Sequence, residues 1–344
     1  MTSELHIGGR GVGNGFPCFV IGEAGVNHNG DLELAHRLVD AVADAGADAV
    51  KFQTFRPEAL VAAGVEAAPY QRSRGAGSQA EMLAELVLPG EAWAELAEHA
   101  TARGLAFLST AFDLESAEIV RDLKAPALKI PSGELTNLPF IRRLASFGIP
   151  LIVSTGMGTM EEVAEAVLAA DWAPGVVLLH CVSAYPAPVA DANLRVLPTL
   201  RDAFDVPVGW SDHTVGSVTA VIAVALGAAV LEKHVTLDRS MRGPDHAASA
   251  DPAEFAAYVR DVRDAEAALG HRDKRPVASE EENRFYARRS HHAARDLEAG
   301  HLLAPEDVVL MRPEAGLAPR ETVVGRRLGR AVRAGSPLRA EDLE

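Results

Sequence analysis

Eight short apolar runs, each ending in polar side chains and separated by stretches of helical period, succeed one another over roughly 250 residues. They cover 19–25, 49–55, 106–112, 127–132, 151–156, 176–183, 206–213 and a last run that begins at Val230. Between them lie Ala- and Leu-rich segments such as 31–45, 90–103, 114–123 and 160–170, with a final helix expected over 252–269. Strict strand–helix alternation repeated eight times is the pattern of a (β/α)8 TIM barrel. An open, doubly wound sheet competes, but no Gly-x-Gly-x-x-Gly turn follows the first run. The glycine-rich stretch from Ile7 to Phe16 precedes that run, so it reads as a turn or hairpin closing the barrel floor. The uncharged run from Thr214 to Leu231 is barely long enough to span a bilayer. Its glycines and hydroxyls, and the polar clusters at both ends, fit a buried helix followed by a buried strand, and no membrane is expected.

Beyond the last helix the composition changes. The segment from Gly270 to Glu282 is polar, charged and broken by Pro276, as a linker would be. Turn signals then recur between short apolar runs, which predicts a small β-rich module. The expected domains are therefore a catalytic barrel over 1–269, a linker over 270–283 and a C-terminal module over 284–344. That module holds eleven arginines, no lysine and nine acidic residues, whereas the whole chain carries a net charge of -15. Such an acidic protein repels phosphate backbones, so nucleic acid is not an expected partner. Cys18 and Cys181 both lie in apolar runs, as buried thiols of a reducing cytoplasm would. The N-terminus has no basic-then-apolar signal, and a cytoplasmic location is expected.

The densest chemistry lies from Val230 to Ser249. In a strand buried on both faces, Glu232, Lys233 and His234 in succession are out of place as packing, and a binding site at the strand's carboxyl end explains them. Upstream, Trp210-Ser-Asp-His213 repeats the pattern. Either histidine alone would be a satisfied core residue more often than a ligand. Paired at the ends of neighbouring strands, His213 and His234 could share one metal.

The motifs Ile21-Gly-Glu-Ala-Gly-Val-Asn-His-Asn-Gly30, Lys51-Phe-Gln-Thr-Phe55, Lys129-Ile-Pro-Ser-Gly-Glu134, Trp210-Ser-Asp-His-Thr214, Glu232-Lys-His-Val-Thr236 and Gly243-Pro-Asp-His-Ala-Ala-Ser249 resemble the sialic acid (N-acetylneuraminate) synthase family of nonulosonic acid synthases. The tail, from Arg289 through Arg312-Pro-Glu-Ala-Gly-Leu317, is similar to the family's C-terminal antifreeze-like (SAF) domain. The resemblance covers nearly the whole chain. It implies condensation of phosphoenolpyruvate with the open-chain aldehyde of N-acetylmannosamine or a related acetamido sugar, giving a sialic-acid-type nine-carbon keto acid plus phosphate. A legionaminate-type synthase, a 9-phosphate synthase using a 6-phosphorylated sugar, or another metal-dependent enol-phosphate condensing or aldolase barrel are the alternatives.

The resemblance further implies Mn2+ at His213 and His234, with Mg2+ or Co2+ as substitutes. Lys51, Lys129, Thr110, Ser132, Ser154 and Ser211 match positions that contact the enol phosphate. A rim lysine that merely snorkels, or a hydroxyl that merely caps the next helix, is the bland reading of each. Glu23 and Glu134 fall where the family's catalytic glutamates lie, without an assignment of acid and base. Gln53 and Tyr185 match residues lining the sugar pocket, and Ser183 stands where neuraminate synthases often have asparagine. Asp245 is expected as a partner for a sugar hydroxyl or a metal-bound water. Arg312 matches an arginine that reaches the acetamido group from the other subunit of a domain-swapped homodimer. Two departures stand out: Arg74 replaces a common asparagine that contacts sugar hydroxyls and is read as pointing outward, and Glu314 replaces the glycine of an Arg-Pro-Gly turn, which bears on the geometry of that loop.

Overall fold

In the computed structural model, which describes residues 4–62 and 79–344, two strands precede the barrel: β1 (Glu4–Ile7) and β2 (Arg10–Gly13). They pair antiparallel through Gly8 and Gly9, both at positive φ, as a two-residue hairpin turn of matching twist requires. Eight parallel strands follow: β3 (Phe19–Gly25), β4 (Ala49–Thr54), β5 (Ala106–Ala111), β6 (Leu128–Ile130), β7 (Leu151–Ser154), β8 (Val176–Cys181), β9 (Val208–Asp212) and β10 (Val230–His234). Strand β10 pairs with both β9 and β3, so the sheet closes into a barrel with no free edge. The long helices between and after the strands are α1 (Leu32–Asp44), α2 (Ala92–Ala102), α3 (Leu114–Asp122), α4 (Leu138–Ala145), α5 (Met160–Ala169), α6 (Val196–Phe204), α7 (Val218–Ala225) and α8 (Pro252–Leu269). Polar residues at the strand ends start several of them. Asp31 and Asp113 accept backbone N–H groups of the first turn, and Thr159 and Asp251 form reciprocal capping boxes with Glu162 and Glu254.

Strand alternation sorts the core into two layers. Outward residues such as Val20, Phe52, Phe107, Ile130, Leu178 and Trp210 pack beneath the helices against Leu38, Leu96, Ile141 and Phe255. Inward residues at the lower end, among them Phe19, Ile21, Leu108, Ile152, Leu179 and Val230, meet Leu5, Ile7 and Val12 of the hairpin. The hairpin thus plugs the floor, as the glycine-rich start suggested. Truncating a fully buried anchor such as Ile7 to Ala costs about 2–5 kcal/mol. Asp48 locks the plug in place: its carboxylate accepts the Val20 N–H at 2.8 Å and Arg263 Nη2 at 2.8 Å, and contacts Arg10 of β2.

The chain divides into two compact units, Met1–Gly270 and His271–Glu344. Residues 271–277 have no regular structure, but Ala278–Glu280 forms a 3-10 turn and α9 (Glu281–Ala287) begins inside the span expected as linker. In the second unit β11 (Ser290–Ala293) pairs antiparallel with β12 (Val308–Met311), and further pairing occurs through isolated bridges. An internal repeat organises it. The pattern Arg-x-Leu-x-Ala-Gly-x-x-Leu-x-x-Glu-Asp, from Arg295 to Asp307, recurs with Val for the first Leu from Arg330 to Asp342. In each copy the buried aspartate holds the copy's arginine and accepts a backbone N–H three residues earlier, from Ala304 at 2.9 Å and from Arg339 at 2.7 Å. Leu297 and Val332, equivalent in the two copies, exchange backbone hydrogen bonds of 2.8 Å with one another. Among the described residues, no helix is long and apolar enough to cross a membrane.

Candidate active site

At the carboxyl end of the barrel the inward positions turn from aliphatic to ionisable. Glu23 (β3), Lys51 and Gln53 (β4), Thr110 (β5), Lys129 (β6), Ser154 (β7), Cys181 (β8), Ser211 (β9), and Glu232 and His234 (β10) line a cavity of about 440 Å³. Strand register brings them together: Lys51 lies beside Glu23, Thr110 beside Lys129, and Glu232 beside Ser211. A register shift between Glu23 and Gly25, with Gly25 at φ 53°, turns the chain away just after the glutamate.

Two lysines and two carboxylates are buried on the cavity floor. Lys51 Nζ donates to Thr110 Oγ1 at 2.6 Å, touches Glu23 and lies 3.7 Å from Glu232. Lys129 Nζ donates to Ser154 Oγ at 2.6 Å and lies 3.9 Å from Glu232. Gln53 Nε2 donates to Glu23 at 3.1 Å. The two acids are driven apart. Burial pushes Glu23 up to about 6, Glu232 adds to that, and Lys51 opposes it. Burial acts on Glu232 in the same sense but is overcome by Lys129, Lys51 and the Ser211 hydroxyl, which hold it well below the usual carboxylate range. Burial also lowers Lys129, against the pull of Glu232. With Glu232 ionised, protonation of Glu23 leaves the floor with net positive charge and a ring of hydroxyls, the donor set for a small anion.

Above the floor stand the two histidines. Their ring centroids are 5.6 Å apart, and Tyr185 lies against His213 at 4.2 Å. His213 Nδ1 donates to the Val182 carbonyl at 2.7 Å, which leaves Nε2 as the basic nitrogen, with only a 3.4 Å approach from Ser211 Oγ. Burial, and then His234, hold His213 neutral at about 3, and burial lowers His234 as well. His234 Nδ1 is buried without a hydrogen-bond partner. Neutral rings with uncommitted nitrogens suit a divalent metal. No set of three or more His, Cys, Asp or Glu gathers as a metal site among the described residues. The protein would supply two nitrogens and leave the other positions to substrate and water.

Thirteen of the sequence-derived candidates meet in this one cavity: Glu23, Lys51, Gln53, Thr110, Lys129, Ser132, Ser154, Ser183, Tyr185, Ser211, His213, His234 and Asp245. Ser132 Oγ accepts the Gly156 N–H at 3.0 Å and lies 3.1 Å from Cys181 Sγ. A Cβ on Gly156 would come within 2.8 Å of Ser132, Cys181 and Ser183, so only glycine fits there. Glu134 is not among the lining residues. It shares a 3-10 turn with Ser132, and its carboxylate accepts Asn137 Nδ2 at 2.6 Å near the start of α4. Arg312 lies in the second unit, exposed, just before Pro313, and Glu314 lies 3.5 Å from Arg284 within that unit. Arg74 lies outside the described residues.

Alternation corrects the view of Glu232, Lys233 and His234 as one cluster. Glu232 and His234 face inward, whereas Lys233 points out, 3.4 Å from Asp212, with its ammonium over the Tyr258 ring. Cys181 and Glu232 are lining residues that the candidate assignments lack. Period two along β10 carries the signal for Glu232, because any strand that aims His234 inward aims Glu232 inward too. One further feature had no sequence signal: Val26, Phe55, Leu60, Met82, Leu83, Leu86 and Phe112 give the cavity an apolar side.

Residues 38–274 match the model of the NeuB family, and residues 288–344 match that of the SAF domain. The chain is 46% identical over 355 aligned residues to N,N'-diacetyllegionaminic acid synthase of Legionella pneumophila, covering 100% of both chains. It is 37% identical to human N-acetylneuraminate-9-phosphate synthase over 81% of this chain and 79% of that one. A crystal structure of N-acetylneuraminic acid (sialic acid) synthetase from Leptospira borgpetersenii, in complex with citrate, superposes with a TM-score of 0.72 at 34% identity, covering 82% of this chain and 95% of the other.

Proposed function

This chain belongs to the NeuB family, and we propose that it condenses phosphoenolpyruvate with the open-chain aldehyde of an N-acetylmannosamine-type sugar, giving a sialic-acid-type nine-carbon keto acid and phosphate. The observation that carries this reading is the buried floor, where Lys51 and Lys129 face Glu23 and Glu232 among Thr110, Ser132, Ser154 and Ser211. Phosphoenolpyruvate carries a phosphate and a carboxylate on a three-carbon frame. The two ammonium groups and the hydroxyls bind those oxygens and hold C3 toward the mouth of the cavity.

In the reaction, C3 of phosphoenolpyruvate bonds to the aldehyde carbon and the aldehyde oxygen takes a proton. Water then adds at C2, losing a proton, and the bond from C2 to the phosphate oxygen breaks, leaving the keto group. Glu23, poised at about 6, can give or accept a proton near neutral pH, and Glu134 is the second acid–base candidate. A divalent metal at His213 and His234, Mn2+ with Mg2+ or Co2+ as substitutes, supplies a Lewis acid for the aldehyde carbonyl. Tyr185, Gln53, Ser183 and Asp245 surround the sugar end of the cavity. Arg312 of a second chain completes the site in a homodimer.

A legionaminate-type sugar is a second reading, favoured by the full-length match to a diacetyllegionaminic acid synthase and by the apolar side of the cavity, which suits acetamido methyls better than hydroxyls. A 6-phosphorylated sugar is a third reading: among the described residues the cations lining the cavity besides its histidines, Lys51 and Lys129, both lie on its floor, and Arg74, the arginine that could meet such a phosphate, lies outside the described residues. Phosphate release with phosphoenolpyruvate, Mn2+ and a panel of acetamido sugars tests these readings. Turnover only with a 6-phosphorylated sugar, or with no sugar in the panel, overturns the proposal.

A further inference from the structure

Several buried polar side chains lie just behind the cavity wall and line no part of it. Asn27 and the half-buried Asn29 belong to the loop after β3, and Thr236, His246 and Ser249 to the loop between β10 and α8. Asn27 Nδ2 donates to the Val235 carbonyl and to Ser249 Oγ, both at 2.9 Å, and Ser249 Oγ in turn donates to the Asp245 carbonyl at 2.8 Å. His246 Nε2 meets Asn29 Oδ1 at 3.1 Å, and its Nδ1 meets Thr236 Oγ1 at 2.6 Å. A carbonyl oxygen only accepts, so Nε2 carries the proton and Nδ1 accepts the threonine hydroxyl. Gly243 completes the arrangement. At φ 150° it lets the loop fold over this contact, and a Cβ there would lie 2.8 Å from Asn29 Oδ1 and 2.6 Å from the His246 ring.

These bonds end on the backbone of Asp245 and on Val235 and Thr236, which directly follow His234, while Asp245 and His234 themselves line the cavity. We infer that Asn27, Asn29 and His246 are positioning residues: a clasp across the seam between the first and last barrel strands that presents Asp245 to the sugar. The loop from Thr236 to Ser249 has only a short 3-10 turn of its own, at His246–Ala248. These cross-loop bonds therefore contribute to its course, beside local contacts such as that of Arg239 with the Ala247 carbonyl at 3.0 Å. This inference rests on the sugar-condensing reading only for its kinetic test.

The test uses Asn29, which is partly exposed and sits at φ 52°, a left-handed conformation that Asn, Asp and Gly adopt more readily than Ala. Asn29→Ala removes the acceptor and should raise KM for the sugar roughly tenfold or more, with KM for phosphoenolpyruvate within about twofold of wild type. Asn29→Asp keeps an oxygen for His246 and should restore the sugar KM, whereas Asn29→Gly, which suits the backbone φ of 52° but offers no acceptor, should not; rescue by Gly as full as by Asp would point to a backbone role and overturn the clasp. In an Asp245→Asn background, adding Asn29→Ala should cost little more, because both changes act through one side chain. Equal losses on both substrates, fully additive losses, or no rescue by Asp would overturn the clasp. Amide hydrogen exchange of residues 236–250 supplies a readout independent of turnover. Faster exchange there in Asn29→Ala and Asn27→Ala, with β3–β10 unchanged, is expected, and unchanged exchange refutes the clasp even if the substrate is a different one.

Discussion

Ser211 donates its hydroxyl to Glu232 at 2.8 Å across the β9–β10 pair, which fixes one carboxylate oxygen and leaves the other facing Lys51 at 3.7 Å. Glu232 is thereby the counter-ion common to both buried lysines. Glu232→Gln should leave two ammonium groups undercompensated and destabilise the free protein by about 3 kcal/mol. Phosphoenolpyruvate, an anion, should then raise the melting temperature of the variant more than that of the wild type. Thermal shift with and without the ligand checks this, and an equal shift in both proteins would argue that the lysines do not hold the anion.

Glu23 and Glu232 act oppositely on the pH dependence of stability. Glu23 is raised from its ordinary 4.5 to about 6, so between those values the unfolded chain loses the proton first and stability falls as pH rises. The full penalty, on the order of 2 kcal/mol, is present above pH 6 and absent below 4.5. Glu232, depressed, adds stability above its unfolded value and loses it as the pH drops through the native one. Glu23→Gln should therefore flatten stability between pH 4.5 and 6, measured by denaturant titration across that range. The same variant should remove a limb near pH 6 from the kcat/KM profile.

The histidine pair makes a sharper demand. His213→Ala and His234→Ala should each lower turnover by about a thousandfold or more while circular dichroism stays native. Exhaustive dialysis against a chelator should do the same to the unaltered protein, with recovery on adding Mn2+. Full activity after chelation would eliminate the metal from the reaction.

Assembly is testable by complementation. The Arg312→Ala and His213→Ala proteins should each be nearly inactive on their own. If Arg312 serves the neighbouring chain, mixing them under exchange conditions restores activity, since half the sites in a mixed dimer combine an intact barrel with an intact arginine. Demonstrated exchange without recovered activity would place Arg312 in its own chain's site or outside it.

The barrel was legible because each run carries its own signal. The run 19–25 became β3 without change, and 151–156 lost only its last two residues, where Thr155 and Gly156 leave the ladder. Reading Glu232, Lys233 and His234 as one block hid the alternation that separates Lys233 from its neighbours. The Asn27, Asn29 and His246 contacts were not legible, because they join residues more than 200 positions apart. The second unit showed its turns but not its pairing, since most of its backbone bonds form singly rather than in ladders.

Among the described residues, the hairpin that plugs the floor makes the barrel a blind shaft, open at its carboxyl end. Traffic in such a shaft is ordered by depth. On the proposed reading, the compound gripped by the lysines must enter before the sugar that sits above it, and an early-arriving sugar would block the way. A sugar analogue should then bind productively only to enzyme already charged with phosphoenolpyruvate, so the floor that stabilises the fold also imposes the sequence of events.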